Sequence, residues 1–187
     1  MLFRSDHSTR KVSNKIITKE ELKLPKNSFV FCCFNNNFKI TPNVFNIWMS
    51  ILKNVKDSVL WLMIKGDNQT VKNHLKKEAF KKGVESDRLI FANRMPLLSD
   101  HLARLKLANL FIDTMPYNAH TTACDALWVD LPVLTLCGET FASRVGASML
   151  SAVGLNELIT FTDQEFENLA IELANNPKKL QQIKNKL

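Results

Sequence analysis

The chain has 187 residues, 45% of them hydrophobic, enough for one substantial core. No run approaches the roughly 18 uninterrupted apolar residues of a membrane-spanning helix, and the opening MLFRSDHSTRKVSNK lacks the apolar core of a secretory signal, so a cytosolic protein without membrane contact is expected. The net charge of +7 comes largely from lysines in residues 11–26, 72–82 and 178–186, which read as solvated helix faces rather than a nucleic-acid surface.

In chain order, residues 1–27 are polar, basic and without sustained periodicity, and read as a connector or a truncated edge. The domain proper is expected at 28–187. It opens with SFVFCCF, a short aromatic-rich run typical of a strand buried on both faces. Thr41 can cap, and Pro42 can start, a helix whose apolar face is Val44, Ile47, Trp48, Ile51, Leu52 and Val55. A strand at 59–64, a lysine-rich helix around 69–82 ending at Gly83, and a short strand at 88–91 follow. Ser99 and Asp100 are candidate caps for a helix bearing Leu102, Leu105 and Ala108, which leads into strand LFIDT at 110–114. The remainder reads as helix 121–129, strand 132–136, helix 141–153 stopped by Gly154, a brief strand near 158–160, and two helices within 163–187, the last opening at Pro177.

Strands that alternate with helices and lack period-two patterning predict an α/β fold, a Rossmann-like parallel sheet with helices on both faces. Ligands in such folds bind beyond the carboxyl ends of the strands. Loops 35–41, 92–99, 115–122 and 137–141 should therefore line one crevice. Several motifs are missing from the sequence: G-x-G-x-x-G, the P-loop, G-x-S-x-G and H-E-x-x-H. Cys32, Cys33, Cys124 and Cys137 have neither zinc-knuckle nor redox spacing, and read as reduced thiols among apolar neighbours.

Polar residues at the strand ends carry the chemistry that remains. N-A-H-T-T at 118–122 lies between a buried strand and a helix start, where free N–H groups and the hydroxyls of Thr121 and Thr122 suit a phosphate. The alternative is a threonine that merely caps the helix, and both roles can coexist. Lys39 could supply a point charge to a pyrophosphate, or be a solvated lysine. His101 and Arg104, three apart on one helix face, offer a flat ring and a donor fork to a base, or form a surface pair that binds nothing. Asp125 could accept hydrogen bonds from ribose hydroxyls, or serve as a helix-dipole partner. Glu139 and Arg144 flank the next helix start as candidate ion-pair members.

The strings FCCFNNNFKITP, SVLWLM, DHLARLKLANLFIDTMPYNAHTTACDALW, LPVLTLCGETFASRVGASML and VGLNELIT, in this order, resemble the carboxy-terminal catalytic lobe of the O-GlcNAc transferase family, including its Spindly-like members. The similarity runs from about residue 18 to the end. It implies the donor-binding lobe of a GT-B glycosyltransferase, inverting and metal-independent, that uses a UDP-sugar such as UDP-GlcNAc as substrate, without a cofactor, to modify serine or threonine of a protein acceptor. By this resemblance the family's strand-end lysine matches Lys39, and its phosphate loop matches His120, Thr121 and Thr122. Its base-contacting pair matches His101 and Arg104, and its ribose aspartate matches Asp125. Lys39 and His120 would stabilise the leaving group; no general base is identified. Asn36 stands where animal members carry a longer glutamine, and Leu98 where they carry a lysine. The family's tetratricopeptide repeats and amino-terminal lobe do not fit into residues 1–27, which implies a lobe completed by an amino-terminal lobe in cis or trans. The competing reading is a noncatalytic nucleotide-binding or interaction remnant.

Overall fold

A computed structural model describes residues 10–64, 66 and 68–187 of the chain. The first nine residues of the expected connector lie outside this range. Among the described residues, six strands and seven α-helices alternate: β1 (Phe29–Cys33), α1 (Pro42–Asn54), β2 (Ser58–Met63), α2 (Gln69–Lys81), β3 (Leu89–Ala92), α3 (Leu98–Leu105), β4 (Leu110–Ile112), α4 (Thr121–Leu127), β5 (Val133–Leu136), α5 (Val145–Ala152), β6 (Ile159–Thr160), α6 (Asp163–Asn175) and α7 (Pro177–Lys184).

The strands form one sheet in the order β3-β2-β1-β4-β5-β6, and every pairing is parallel. Their burial explains why no alternation is legible: Val30, Phe31, Leu60, Trp61, Leu62, Leu110, Phe111, Val133 and Leu134 are all sealed from water. Strand order reverses between β1, which pairs with β2 from Phe29↔Ser58 to Cys33↔Leu62, and β4, which joins it at Phe31↔Leu110. Right-handed crossovers on either side of the reversal send their helices to opposite faces. The loops after β1 and β4 thus diverge and leave a crevice at their carboxyl ends.

Helix starts follow local chemistry where a cap exists. The Thr41 hydroxyl accepts the Val44 N–H ahead of Pro42, Asn68 caps α2, Thr162 caps α6 and Asn176 caps α7. Two expectations are corrected. Neither Ser99 nor Asp100 caps α3, which begins at Leu98 behind Leu97 with no side-chain cap; leucines carry no local start signal, so the apolar face of the helix decides where it docks. The helix expected at 141–153 is a 3-10 turn, Phe141–Ser143, followed by α5, because Thr140 and Ser143 close a capping box on the turn. Asp113 and Thr114, expected inside the fourth strand, follow its end at Ile112, although the Asp113 N–H still donates to the Leu134 carbonyl of β5 at 3.0 Å.

The stretch before β1 is not detached from the core. Leu24 is buried, Val12 and Leu22 pack against the hydrophobic cluster, and the Lys19 ammonium donates to the carbonyls of Lys26 and Ser28, each at 3.2 Å. No helix among the described residues is long and apolar enough to cross a membrane.

Candidate nucleotide-binding site

The segment leaving β1 organises the crevice, because three of its side chains reach three different walls. Phe34 packs under the α3 pair, with the His101 ring 5.7 Å and the Arg104 guanidinium 4.8 Å from its centroid. Asn35, buried, donates to Asp113 Oδ1 (3.1 Å) and Thr114 Oγ1 (2.7 Å) and accepts from the Thr122 hydroxyl. Lys39 ends a 3-10 turn, Asn37–Lys39, that begins behind Asn36; its ammonium donates to the Asn118 carbonyl at 2.8 Å and sits 3.7 Å above the Tyr117 ring.

Lys39 is thereby held against the loop that carries His120, Thr121 and Thr122. Burial lowers its pKa, and the Asp113 carboxylate opposes that shift. His120 packs 5.2 Å from Tyr117; burial first, then the nearby Lys39 charge, lower its pKa, so at neutral pH it is a neutral ring. Thr121 opens α4 and is exposed, whereas the Thr122 hydroxyl is turned inward to Asn35. No side chain caps α4. The Ala123 N–H already donates to the His120 carbonyl at 3.1 Å, so of the first turn only the Thr121 and Thr122 N–H groups are open to an anion.

Asp113 is the hub beneath this loop, and sequence reasoning did not single it out. One carboxylate takes the N–H of Thr114 (2.7 Å), the N–H of Ala119 (2.6 Å), the Asn35 amide and the Thr135 hydroxyl (2.7 Å). It thus ties both ends of the β4–α4 loop to β1 and β5. Burial raises its pKa to about 6 against these hydrogen bonds. The available signal was a lone acid inside an apolar strand, which must find several donors if it is to be buried.

The α3 pair departs from a simple base-binding fork. Arg104 is 1% exposed, its guanidinium stands 4.8 Å and 5.8 Å from the Phe34 and Trp61 ring centroids, and it donates to the Asn93 carbonyl and contacts His101 Nδ1 at 2.8 Å. It fixes the loop after β3 and holds His101, a partly buried ring on the same helix face. Burial, reinforced by Arg104, lowers the His101 pKa to about 4, which keeps the ring neutral. Asp125 lies in the second turn of α4, buried and paired with Arg10. Leu98 is exposed at the start of α3, Glu139 on the loop after β5 and Arg144 before α5.

The structure therefore gathers Asn36, Lys39, His120, Thr121 and Thr122 in one half of the crevice and His101, Arg104 and Asp125 on the α3 and α4 walls. A separate cavity of about 660 Å³ opens at the opposite, amino-terminal edge, between Ser28, Asp57 and Asn109, and contains none of these residues. Parallel sheets bind ligands at the carboxyl edge, which favours the crevice. Among the described residues no three His, Cys, Asp or Glu side chains are grouped to hold a metal ion.

Known proteins are similar to this chain in sequence and in architecture. A peptide N-acetylglucosaminyltransferase of Caenorhabditis elegans that uses UDP-N-acetylglucosamine is 34% identical over 175 residues, 92% of this chain and 15% of its own length. The probable enzyme of the same description, SEC, of Arabidopsis thaliana is 36% identical over 173 residues, 90% of this chain and 17% of its own. The chain thus spans less than a fifth of the curated relatives it matches. A solved Thermobaculum terrenum O-GlcNAc transferase mutant superposes with a TM-score of 0.81 at 30% identity, covering 87% of this chain and 33% of that one. The glycosyltransferase WaaG (TM-score 0.69, 14% identity, 95% of this chain and 47% of that one) shares the fold alone. So does the C-terminal domain of a Francisella tularensis group 1 glycosyl transferase (TM-score 0.68, 11% identity), where 96% of this chain covers 92% of that one. The fold is that of the carboxy-terminal lobe of GT-B glycosyltransferases, and with residues 5–187 matching glycosyl transferase family 41, the chain belongs to that family.

Proposed function

We propose that the chain is the UDP-sugar-binding lobe of an inverting, metal-independent protein O-glycosyltransferase that moves N-acetylglucosamine from UDP-GlcNAc to serine or threonine, with an amino-terminal lobe in cis or trans supplying the other wall of the cleft. The observation that carries the reading is the Lys39 ammonium held at 2.8 Å from the Asn118 carbonyl, beside the His120–Thr122 turn. A fixed cation and the N–H groups of Thr121 and Thr122 there suit the position expected of a pyrophosphate. Two relatives whose names state UDP-N-acetylglucosamine and peptide transfer support the donor and the acceptor class.

In the reaction, an acceptor hydroxyl attacks the anomeric carbon, the bond from that carbon to the phosphate oxygen breaks, and UDP departs with the electron pair. Charge grows on the leaving phosphate, and donors fixed before the reaction stabilise it most in a water-poor cleft. Lys39 supplies the full charge, the first-turn amides of α4 supply dipoles, and His120 supplies a neutral ring within reach of the same group. His101 would stack on the base, and Asp125 would accept the ribose hydroxyls. The proton of the acceptor goes to a base outside the residues identified in this chain.

The test joins the chain to the amino-terminal lobe of a relative and measures labelled sugar transfer from UDP-GlcNAc to a serine-containing peptide. A β-linked product, reduced at least ten-fold by Lys39→Ala, is expected. An α-linked product would remove the inverting assignment. UDP binding without transfer by the joined protein would favour a noncatalytic remnant instead.

A further inference from the structure

Asp125 holds the place where the proposed function puts the ribose hydroxyls, yet its acceptor position is occupied. Arg10, 115 residues away in sequence, donates to Asp125 Oδ1, and the two side chains are only 12% and 9% exposed. The same segment is fastened twice more. Trp128 Nε1 donates to the Arg10 carbonyl at 2.9 Å, and the Ser13 N–H donates to the Ser99 carbonyl at 3.1 Å. Residues 10–13 therefore run from α4 to the first turn of α3, across the nucleoside half of the crevice. The phosphate half, where Lys39 meets the 117–121 loop, is held by other contacts.

A guanidinium and a pair of ribose hydroxyls ask the same thing of a carboxylate: two lone pairs facing outward. A carboxylate as buried as Asp125 is costly to leave without a partner, so one donor set must replace the other. We propose that residues 10–13 form a displaceable strap over the nucleoside subsite, in which Arg10 stands in for the ribose hydroxyls on Asp125 and so sets the affinity for the donor. The inference rests on the reading of Asp125 as the ribose acceptor. The strap lowers apparent affinity by the fraction of molecules in which it is open; a strap closed in about nine molecules of ten costs about ten-fold. It acts on nucleotides and not on a ligand that uses the phosphate half alone.

Calorimetric titrations of the full chain, Arg10→Ala and Arg10→Lys with UDP and with inorganic pyrophosphate test this. Arg10→Ala is expected to bind UDP roughly ten-fold tighter than the unaltered chain, with pyrophosphate unchanged and Arg10→Lys close to the unaltered chain. Unchanged or weaker UDP binding by Arg10→Ala overturns the strap while leaving the donor site standing, as does an equal gain for pyrophosphate. Failure of every folded protein to bind UDP overturns the donor-site reading, and the strap with it.

Discussion

At the carboxyl end of β1, Phe34, Asn35 and Lys39 each serve a different wall, and the energetic weight of the site falls on Lys39 and Asp113. Lys39 is half-buried with its ammonium against a carbonyl and an aromatic face, so it is pre-positioned and loses little freedom when an anion arrives. Lys39→Ala is expected to weaken UDP binding by about 1.5–3 kcal/mol, or roughly 10- to 150-fold, the range of a charge-assisted hydrogen bond; calorimetry measures it. Asp113 has the opposite character, a buried acid with a pKa of about 6 against an ordinary 3.8. Its folded pKa is raised, so its stability cost is full above pH 6 and is relieved as the pH falls towards 4. His101, with a folded pKa of about 4 against 6.5, works the other way: the unfolded chain takes its proton first, and stability is lost as pH falls through that window. The two oppose each other. Asp113→Asn should therefore lose stability more steeply than the unaltered chain between pH 6 and pH 4, by about 2–3 kcal/mol across the window, as urea unfolding at pH 7, 6, 5 and 4 would show. An unchanged slope would contradict the assignment. Lys39, His101, Asp125 and the 120–122 string could be named as candidates from the sequence because each sits at a strand end or in a helix turn. Arg10 and the inward turn of Thr122 were not, since both depend on partners about 90 or more residues away.

Among the elements, those with a local chemical start were readable and those set by packing were not. Thr41-Pro42 and Asn176-Pro177 open α1 and α7 where the sequence places them, whereas α3 starts at a leucine for which no side chain provides a cap. Thr41→Ala leaves the Val44 N–H without its cap and should cost about 1 kcal/mol of stability in chemical unfolding. The β4–α4 loop depends on α5 packing closely against it. A Cβ on Gly146 would meet Asp113 Oδ2 at 2.9 Å and press on the Thr135 hydroxyl, and both atoms are fixed in the buried hydrogen-bond hub. Gly146→Ala is therefore expected to destabilise the chain by about 1–3 kcal/mol and to weaken UDP binding through the displaced loop. A variant with unchanged melting temperature and affinity would show that the hub yields freely. The 3-10 turn at 141–143 escaped the sequence reading because its capping box, Thr140 with Ser143, sits inside a run that otherwise has helical spacing.

For the molecule as a whole, the order β3-β2-β1-β4-β5-β6 turns a string of apolar strands into a crevice at one defined place, between β1 and β4. The parallel class was legible because strands buried on both faces cannot alternate. Strand order was not, since nothing local distinguishes a neighbour of β1 on one side from a neighbour on the other. That order brings residues 34–39 together with the α3 wall and residues 113–122, which lie at least 59 positions away in sequence, and it agrees with the family shown by residues 5–187. The most direct test of a donor-binding lobe is calorimetric titration of the purified 187-residue chain with UDP, alongside Lys39→Ala and Asp125→Ala. Saturable binding weakened by both substitutions is the expected result. A folded chain that binds no UDP, or binds it equally well after both substitutions, would contradict the account.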